Sequence, residues 1–107
     1  MESGTRIVVV TACPTGIALT YMAANRLVAA AQRLGYVIKA ETQGALGSAD
    51  ILTRKDIARA DAAIIAADVD IDGRDRFQNI AVLTTGTARA IADPDAVLAE
   101  ALALPRY

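Results

Sequence analysis

A chain of 107 residues with 11 Lys plus Arg against 12 Asp plus Glu is long enough for one hydrophobic core and too short for a nucleotide-binding half beside a separate substrate half. Its formal charge of −1 offers no basic face to nucleic acid. No His and a single Cys exclude a Ser-His or Cys-His nucleophilic pair, an imidazole metal ligand and an intramolecular disulfide.

Residues 6–12 form a β-branched run that ends at a Cys-Pro-Thr-Gly turn. Residues 20–34 then carry Ala23, Leu27, Ala30, Ala31 and Leu34 at helical spacing before Gly35 stops them. This predicts strand, loop, helix. Residues 36–42 read as a second strand, 43–50 as a flexible stretch with two glycines, and Thr53-Arg54-Lys55-Asp56 as the capping-box start of a short helix. The apolar middle of residues 61–68 is the pattern of a strand buried on both faces of a parallel sheet. Residues 70–77 predict a turn or short helix and 80–85 a fourth strand. Asp93-Pro94 then supplies an N-cap and a helix-compatible proline before a helix at 96–104. The apolar runs at 7–10 and 62–67 fall far short of the roughly 20 residues of a membrane span. No secretion-signal pattern opens the sequence, so a cytoplasmic domain is expected. Residues 1–5 read as a loose end, and Arg106-Tyr107 as no more than a chain end.

Alternating strands and helices imply right-handed crossovers and one three-layer α/β domain: a four-stranded parallel sheet, order 2-1-3-4, with helices on both faces. Ligands of such sheets sit beyond the carboxyl ends of the strands, where strand order reverses. Here that lies between the first and third strands, where the loop 13–19 and the segment 68–72 meet.

Cys13 stands at this edge, before a tight loop and a helix amino end, where unpaired N–H groups and the helix dipole favour negative charge. Such positions commonly lower a thiol below its usual pKa of about 8.5, so a nucleophilic sulfur needs no His beside it. Gly16 would let the backbone approach an anion, and the hydroxyls of Thr15 and Thr20 could donate to it. The loop Pro14, Thr15, Gly16, Ile17, Ala18, Leu19 and Thr20 reads as a phosphate cradle with a nucleophile at its entrance. Plainer readings stand beside this one. A lone Cys is often a small core residue, and Thr at a helix start is often only a cap, but the strand-terminal position before Pro-Thr-Gly favours the nucleophile. Asp68, Asp70 and Asp72 read as loop residues and helix caps, and no metal or cofactor is expected. Gln43-Gly44 shapes a docking face or is a simple turn. Tyr21 is expected exposed and Met22 in the core.

The run Cys13-Pro14-Thr15-Gly16-Ile17-Ala18-Leu19-Thr20-Tyr21-Met22-Ala23-Ala24 resembles the active-site segment of the fructose-specific (type-2) enzyme IIB family of the bacterial sugar phosphotransferase system. The likeness continues through Glu41-Thr42-Gln43-Gly44, Leu52-Thr53, Asp56-Ile57, Ala66-Ala67-Asp68-Val69-Asp70 and Arg76-Phe77, so residues 1–107 are similar to one IIB domain. The resemblance implies that Cys13 takes a phosphoryl group from a histidine of a IIA partner and delivers it to fructose or a related sugar held by the membrane-embedded IIC partner. The domain would then dock at the inner face of the membrane. The absent His is accounted for, since the donor histidine belongs elsewhere.

One residue departs from the pattern. Fructose-type members usually carry His at the position of Leu19, which donates no hydrogen bond, so this loop would rely on backbone N–H groups and its threonines. Cellobiose- and mannitol-type IIB loops resemble this one in lacking both His and Arg there. The alternatives are a IIB-like regulatory or docking module and a low-molecular-weight phosphatase, whose Cys-x5-Arg signature would place Arg at position 19. A redox role lacks a second cysteine.

Overall fold

The structure, a computed structural model, describes residues 4–105. The first strand, β1 (Arg6–Ala12), is buried almost throughout because its β-branched side chains enter both faces of the sheet. Ile7 and Val9 point to one side, and Val8, Val10 and Ala12 to the other. The strand β4 (Ala62–Ala67) repeats the division, with Ala62, Ile64 and Ala66 on the first side and Ala63 and Ile65 on the second. Its unbroken apolar run is that of a strand covered twice, as the sequence indicated.

Helix α1 (Ala18–Arg33) covers the first side with Ala23, Leu27, Ala30 and Ala31. Its small residues let the helix lie close to the sheet. It ends as expected at Gly35, whose φ of +83° turns the chain. The N–H groups of Gly35 and Tyr36 bond back to the carbonyls of Gln32 at 3.1 Å and Ala31 at 2.8 Å. Helices α3 (Thr87–Ala92) and α4 (Pro94–Ala103) join α1 on this side through Ala90, Val97, Leu98 and Ala101. The other side is covered more thinly, by α2 (Arg54–Arg59) and a 3-10 helix (Arg74–Phe77) that bring Ile57 and Phe77 onto the sheet.

The sheet order is β3-β2-β1-β4-β5, with β2 (Val37–Gly44), β3 (Gly47–Ala49) and β5 (Val82–Thr85) completing it. The four strands expected from sequence take the expected 2-1-3-4 arrangement and pair in parallel. The expectation of a purely parallel four-stranded sheet is corrected, because β3 pairs antiparallel with β2 and makes the sheet mixed and five-stranded. The Gly44–Gly47 pair closes a hairpin inside the stretch read as flexible, and Gly47 at φ +118° reverses the chain. Three residues, Gly-Ser-Ala, carry no strand periodicity. They pair because the edge of β2 is open to them.

Two further expectations change. Residues 87–92 form α3, and α4 starts at Pro94 rather than 96. The expected loose end includes residues 1–3, outside the described residues, but the Thr5 carbonyl accepts the Val37 N–H at 2.9 Å and ties that residue to the chain leading into β2. Arg106 and Tyr107 also lie outside the described residues.

Candidate functional site

The carboxyl ends of β1 and β4 lie side by side, with Ala12 opposite Ala67 and the Asp68 N–H bonded to the Ala12 carbonyl at 3.0 Å. Cys13 leaves β1 at this point, where strand order reverses. Its carbonyl begins a turn, accepting the Gly16 N–H at 3.0 Å. The residue is 5% exposed but belongs to neither apolar cluster. It lies under a loop whose Pro14, Thr15, Ile17, Ala18 and Leu19 are all exposed.

The Thr20 hydroxyl donates to the Cys13 sulfur at 2.9 Å, and the Thr15 hydroxyl lies 3.5 Å from it. Thr20 is fully buried, and its carbonyl accepts the Thr11 hydroxyl at 2.9 Å, so packing holds the donor in place. The Thr20 bond, then the Thr15 bond, outweigh the burial that pushes the thiol up. Backbone N–H groups of Ile17 and Thr20 add to them, and the thiol comes down to about 6. None of these causes is a charged side chain. At pH 7 such a group is about nine-tenths thiolate, against a few per cent for an ordinary cysteine. Thr20, readable as a helix cap, is instead the principal donor to the sulfur.

Helix α1 starts at Ile17 with no side-chain cap. The Ile17 N–H donates to the Thr15 hydroxyl at 3.4 Å, and the first N–H groups of the helix itself have no partner within it and face an arriving anion with the positive end of the dipole behind them. Gly16 spends its amide on the turn and Ile17 on the Thr15 hydroxyl, which leaves the amides from Ala18 onward. Gly16 itself, at φ +68°, is required by the turn and by a close approach, since a Cβ there would stand 2.5 Å from the Ala45 nitrogen. Leu19 is 43% exposed in the first turn of α1. Tyr21 is exposed, as expected, but Met22 is 45% exposed, so its placement in the core is corrected. The α1 stripe facing the sheet runs through Thr20, Ala23, Ala24 and Leu27, and Met22 falls outside it.

Sequence reasoning did not bring Glu41 and Arg76 together. Glu41 is 2% exposed, and its carboxylate accepts from Arg76 at 2.8 and 3.1 Å, from Gln43 Nε2 at 2.8 Å and from the Leu52 N–H at 2.8 Å. Burial pushes this carboxyl up, but the bonds from Arg76, Gln43 and Leu52 outweigh it and hold it below the usual range. Gln43 also spans to Asp72, donating to its carbonyl and accepting its N–H, both at 2.9 Å. Both residues lie in segments of the family resemblance, but they stand 35 residues apart and no local spacing joins them. Asp68 caps α3, accepting the Thr87 N–H at 2.9 Å and the Thr87 hydroxyl at 2.5 Å. A cleft of about 630 Å³ between α2 and the 3-10 helix, lined by Arg54, Ile57, Asn79 and Ile80 among others, does not include Cys13.

A family model described as "PTS system, Lactose/Cellobiose specific IIB subunit" matches residues 8–100. The chain is 49% identical over 100 residues to the "PTS system fructose-specific EIIB'BC component" of Xanthomonas campestris, covering 94% of this chain and 17% of that protein. It is 40% identical over 96 residues to the "PTS system fructose-like EIIB component 2" of Escherichia coli, covering 90% of this chain and 91% of that one. A solved domain of the fructose-specific IIABC component of Borrelia burgdorferi superposes with a TM-score of 0.90 at 39% identity, covering 96% of this chain and 98% of the domain.

Proposed function

The chain belongs to the fructose-type IIB family of the sugar phosphotransferase system, and from that membership we propose that Cys13 carries a phosphoryl group from a IIA phosphohistidine to a sugar held by IIC. The observation that carries this reading is the Thr20 hydroxyl donating to the Cys13 sulfur at 2.9 Å, beneath the uncapped start of α1. One group thus favours a thiolate where an anion can be held.

In the first step the thiolate attacks phosphorus, the S–P bond forms and the N–P bond to the donor imidazole breaks. No base is needed, because the sulfur is already ionised at neutral pH. The amides from Ala18 onward hold the phosphoryl oxygens, and the Thr15 hydroxyl, which accepts the Ile17 N–H, lies beside the sulfur. In the second step a sugar hydroxyl attacks, the O–P bond forms and the thiolate leaves. A thiol held down to about 6 is a good leaving group, so one feature serves both transfers. The hydroxyl proton goes to a base on the acceptor side. Fructose or a related sugar is the acceptor suggested by the relatives' names. The coupling of B and C components in the Xanthomonas name supports IIC as the partner. Among the described residues no helix is long and apolar enough to cross a membrane. The proposed place of work is the cytoplasmic face of the membrane, docked on IIC.

Incubation with enzyme I, the phosphocarrier HPr, a cognate IIA and phosphoenolpyruvate tests the proposal. One phosphoryl group should appear on Cys13, be released by iodine as a thiophosphate, and leave only when IIC and sugar are supplied. Cys13→Ser should abolish carriage while keeping the fold. Label on another residue would sink the assignment. Rapid release of phosphate without acceptor would favour a phosphatase, and failure to accept from any IIA a regulatory module.

A further inference from the structure

The turn that joins β2 to β3 lies against the loop that follows Cys13. The Ala45 N–H donates to the Gly16 carbonyl at 2.9 Å. The contact leaves no room for a side chain on either strand of it. A Cβ on Gly16 would stand 2.5 Å from the Ala45 nitrogen, and one on Gly44 would stand 2.2 Å from the Tyr21 hydroxyl and 3.0 Å from the Gly16 carbonyl. The N–H of Ile17 belongs to the same peptide as the Gly16 carbonyl and donates to the Thr15 hydroxyl at 3.4 Å, and that hydroxyl lies 3.5 Å from the Cys13 sulfur. Behind the turn, Glu41 accepts the Leu52 N–H beyond β3, and Gln43 is clamped to Asp72, so both arms of the hairpin are anchored. Leu46, beside Ala45, is fully exposed and contributes nothing to holding the turn.

We propose that the β2–β3 turn, through Gly44 and Ala45, is the positioning element of the phosphoacceptor loop: it holds the Gly16 peptide, whose Ile17 N–H fixes the Thr15 hydroxyl beside the Cys13 sulfur. Gly44 and Ala45 touch neither the sulfur nor a phosphoryl group and act only through Gly16. The proposal rests on Cys13 being the reacting group, but its test reads the thiol itself, without any phosphoryl donor.

Iodoacetamide alkylation of Cys13 is followed between about pH 5 and 9, together with thermal unfolding, in four variants of the full chain. Ala45→Pro removes the N–H that Gly16 accepts. Ala45 is not among the residues with positive φ, and the position after the first residue of such a turn accepts proline. Gly44→Ala drives a methyl against Tyr21 and the Gly16 carbonyl, and adding Tyr21→Phe removes the nearest obstructing atom. Gly35→Ala, at φ +83° with no atom near its Cβ, imposes backbone strain far from the loop. Ala45→Pro and Gly44→Ala should each slow alkylation at pH 6 about fivefold while leaving the plateau at high pH unchanged. Tyr21→Phe should recover part of the loss in Gly44→Ala, and Gly35→Ala should keep the parent profile. Lowered thermal stability with an unshifted pH profile in Ala45→Pro and Gly44→Ala would mean a structural role only and overturn the proposal. So would an equal shift in Gly35→Ala. If Gly44→Ala does not fold, Ala45→Pro decides alone. Loss of phosphoryl transfer with the alkylation pattern intact would count against the carrier reading and leave the positioning role standing.

Discussion

Two hydroxyl groups and two backbone amides make the difference between Cys13 and an ordinary thiol. Thr20→Val keeps the shape of the buried side chain and deletes the 2.9 Å donor, at a cost of about 1 kcal/mol in stability. The pH of half-maximal alkylation should then move up from about 6 toward the usual value near 8.5. An unmoved midpoint would show that the amides suffice. The same depression links the thiol to folding. Its contribution to stability is fully present above the unfolded value of about 8.5 and is lost as pH falls through the folded value. Urea midpoints measured across that window should therefore fall with pH more steeply for the parent than for Cys13→Ala. At Leu19, exposed in the first helical turn, Leu19→His adds a donor beside the phosphoryl group that the proposed function places on Cys13. Transfer from phospho-IIA or to sugar should quicken by about tenfold if one charge-assisted bond is regained. Unchanged rates in both half-reactions would show the loop is already sufficient.

Among the elements, the least legible in sequence are held from elsewhere in the chain. Thr53 and Asp56 cap α2 reciprocally, at 3.1 and 2.8 Å, and Asp93 caps α4 by accepting the Ala96 N–H at 3.2 Å. Both devices are local and were read directly. Helix α3 begins at Gly86 with no cap of its own and receives one from Asp68, 19 residues upstream. Asp68→Ala should cost about 1–2 kcal/mol, because it leaves the buried Thr87 without its partner. Chemical denaturation measures this, and amide exchange should show the loss concentrated in residues 87–92. Strand β3 is likewise held by the open edge of β2 and the anchored chain on either side.

At the scale of the molecule, the thinly covered side of the sheet depends on a polar tie. Arg76 reaches Glu41 in β2, the Leu52 carbonyl at 3.2 Å, the Gly73 carbonyl at 2.7 Å and the Asp72 carbonyl at 3.1 Å, and stacks over Phe77. Arg76→Ala should cost about 3 kcal/mol or more, because it strands a buried carboxylate. The sign with pH is diagnostic. With Arg76 present, Glu41 lies below its usual range, so its contribution is present above the unfolded value of about 4.3 and is lost as pH falls through the lower folded value. Without Arg76, burial pushes the carboxyl up, and protonation relieves the penalty. The stability gap between parent and variant, from urea titrations, should narrow as pH drops toward 4. A gap that stays constant would mean that water or another group has replaced the guanidinium.

Much of this fold follows from local pattern. The β-branched run before Cys13, the double-sided apolar strand at 62–67, the glycine after α1 and the two proximal caps each act within a few residues, so their consequences could be read along the chain. Together they determined the parallel core, its strand order and the placing of Cys13 at the reversal point, because period and crossover handedness leave few arrangements. The tertiary structure decided what depends on residues distant in sequence. It decided the antiparallel fifth strand, the cap that makes α3, the outward turn of Met22, the Glu41–Arg76 tie and the pressing of Gly44 and Ala45 onto Gly16. Local pattern reports which face of an element is apolar. Which polar partner meets it across 20 or 30 residues of chain is set only when the layers have packed.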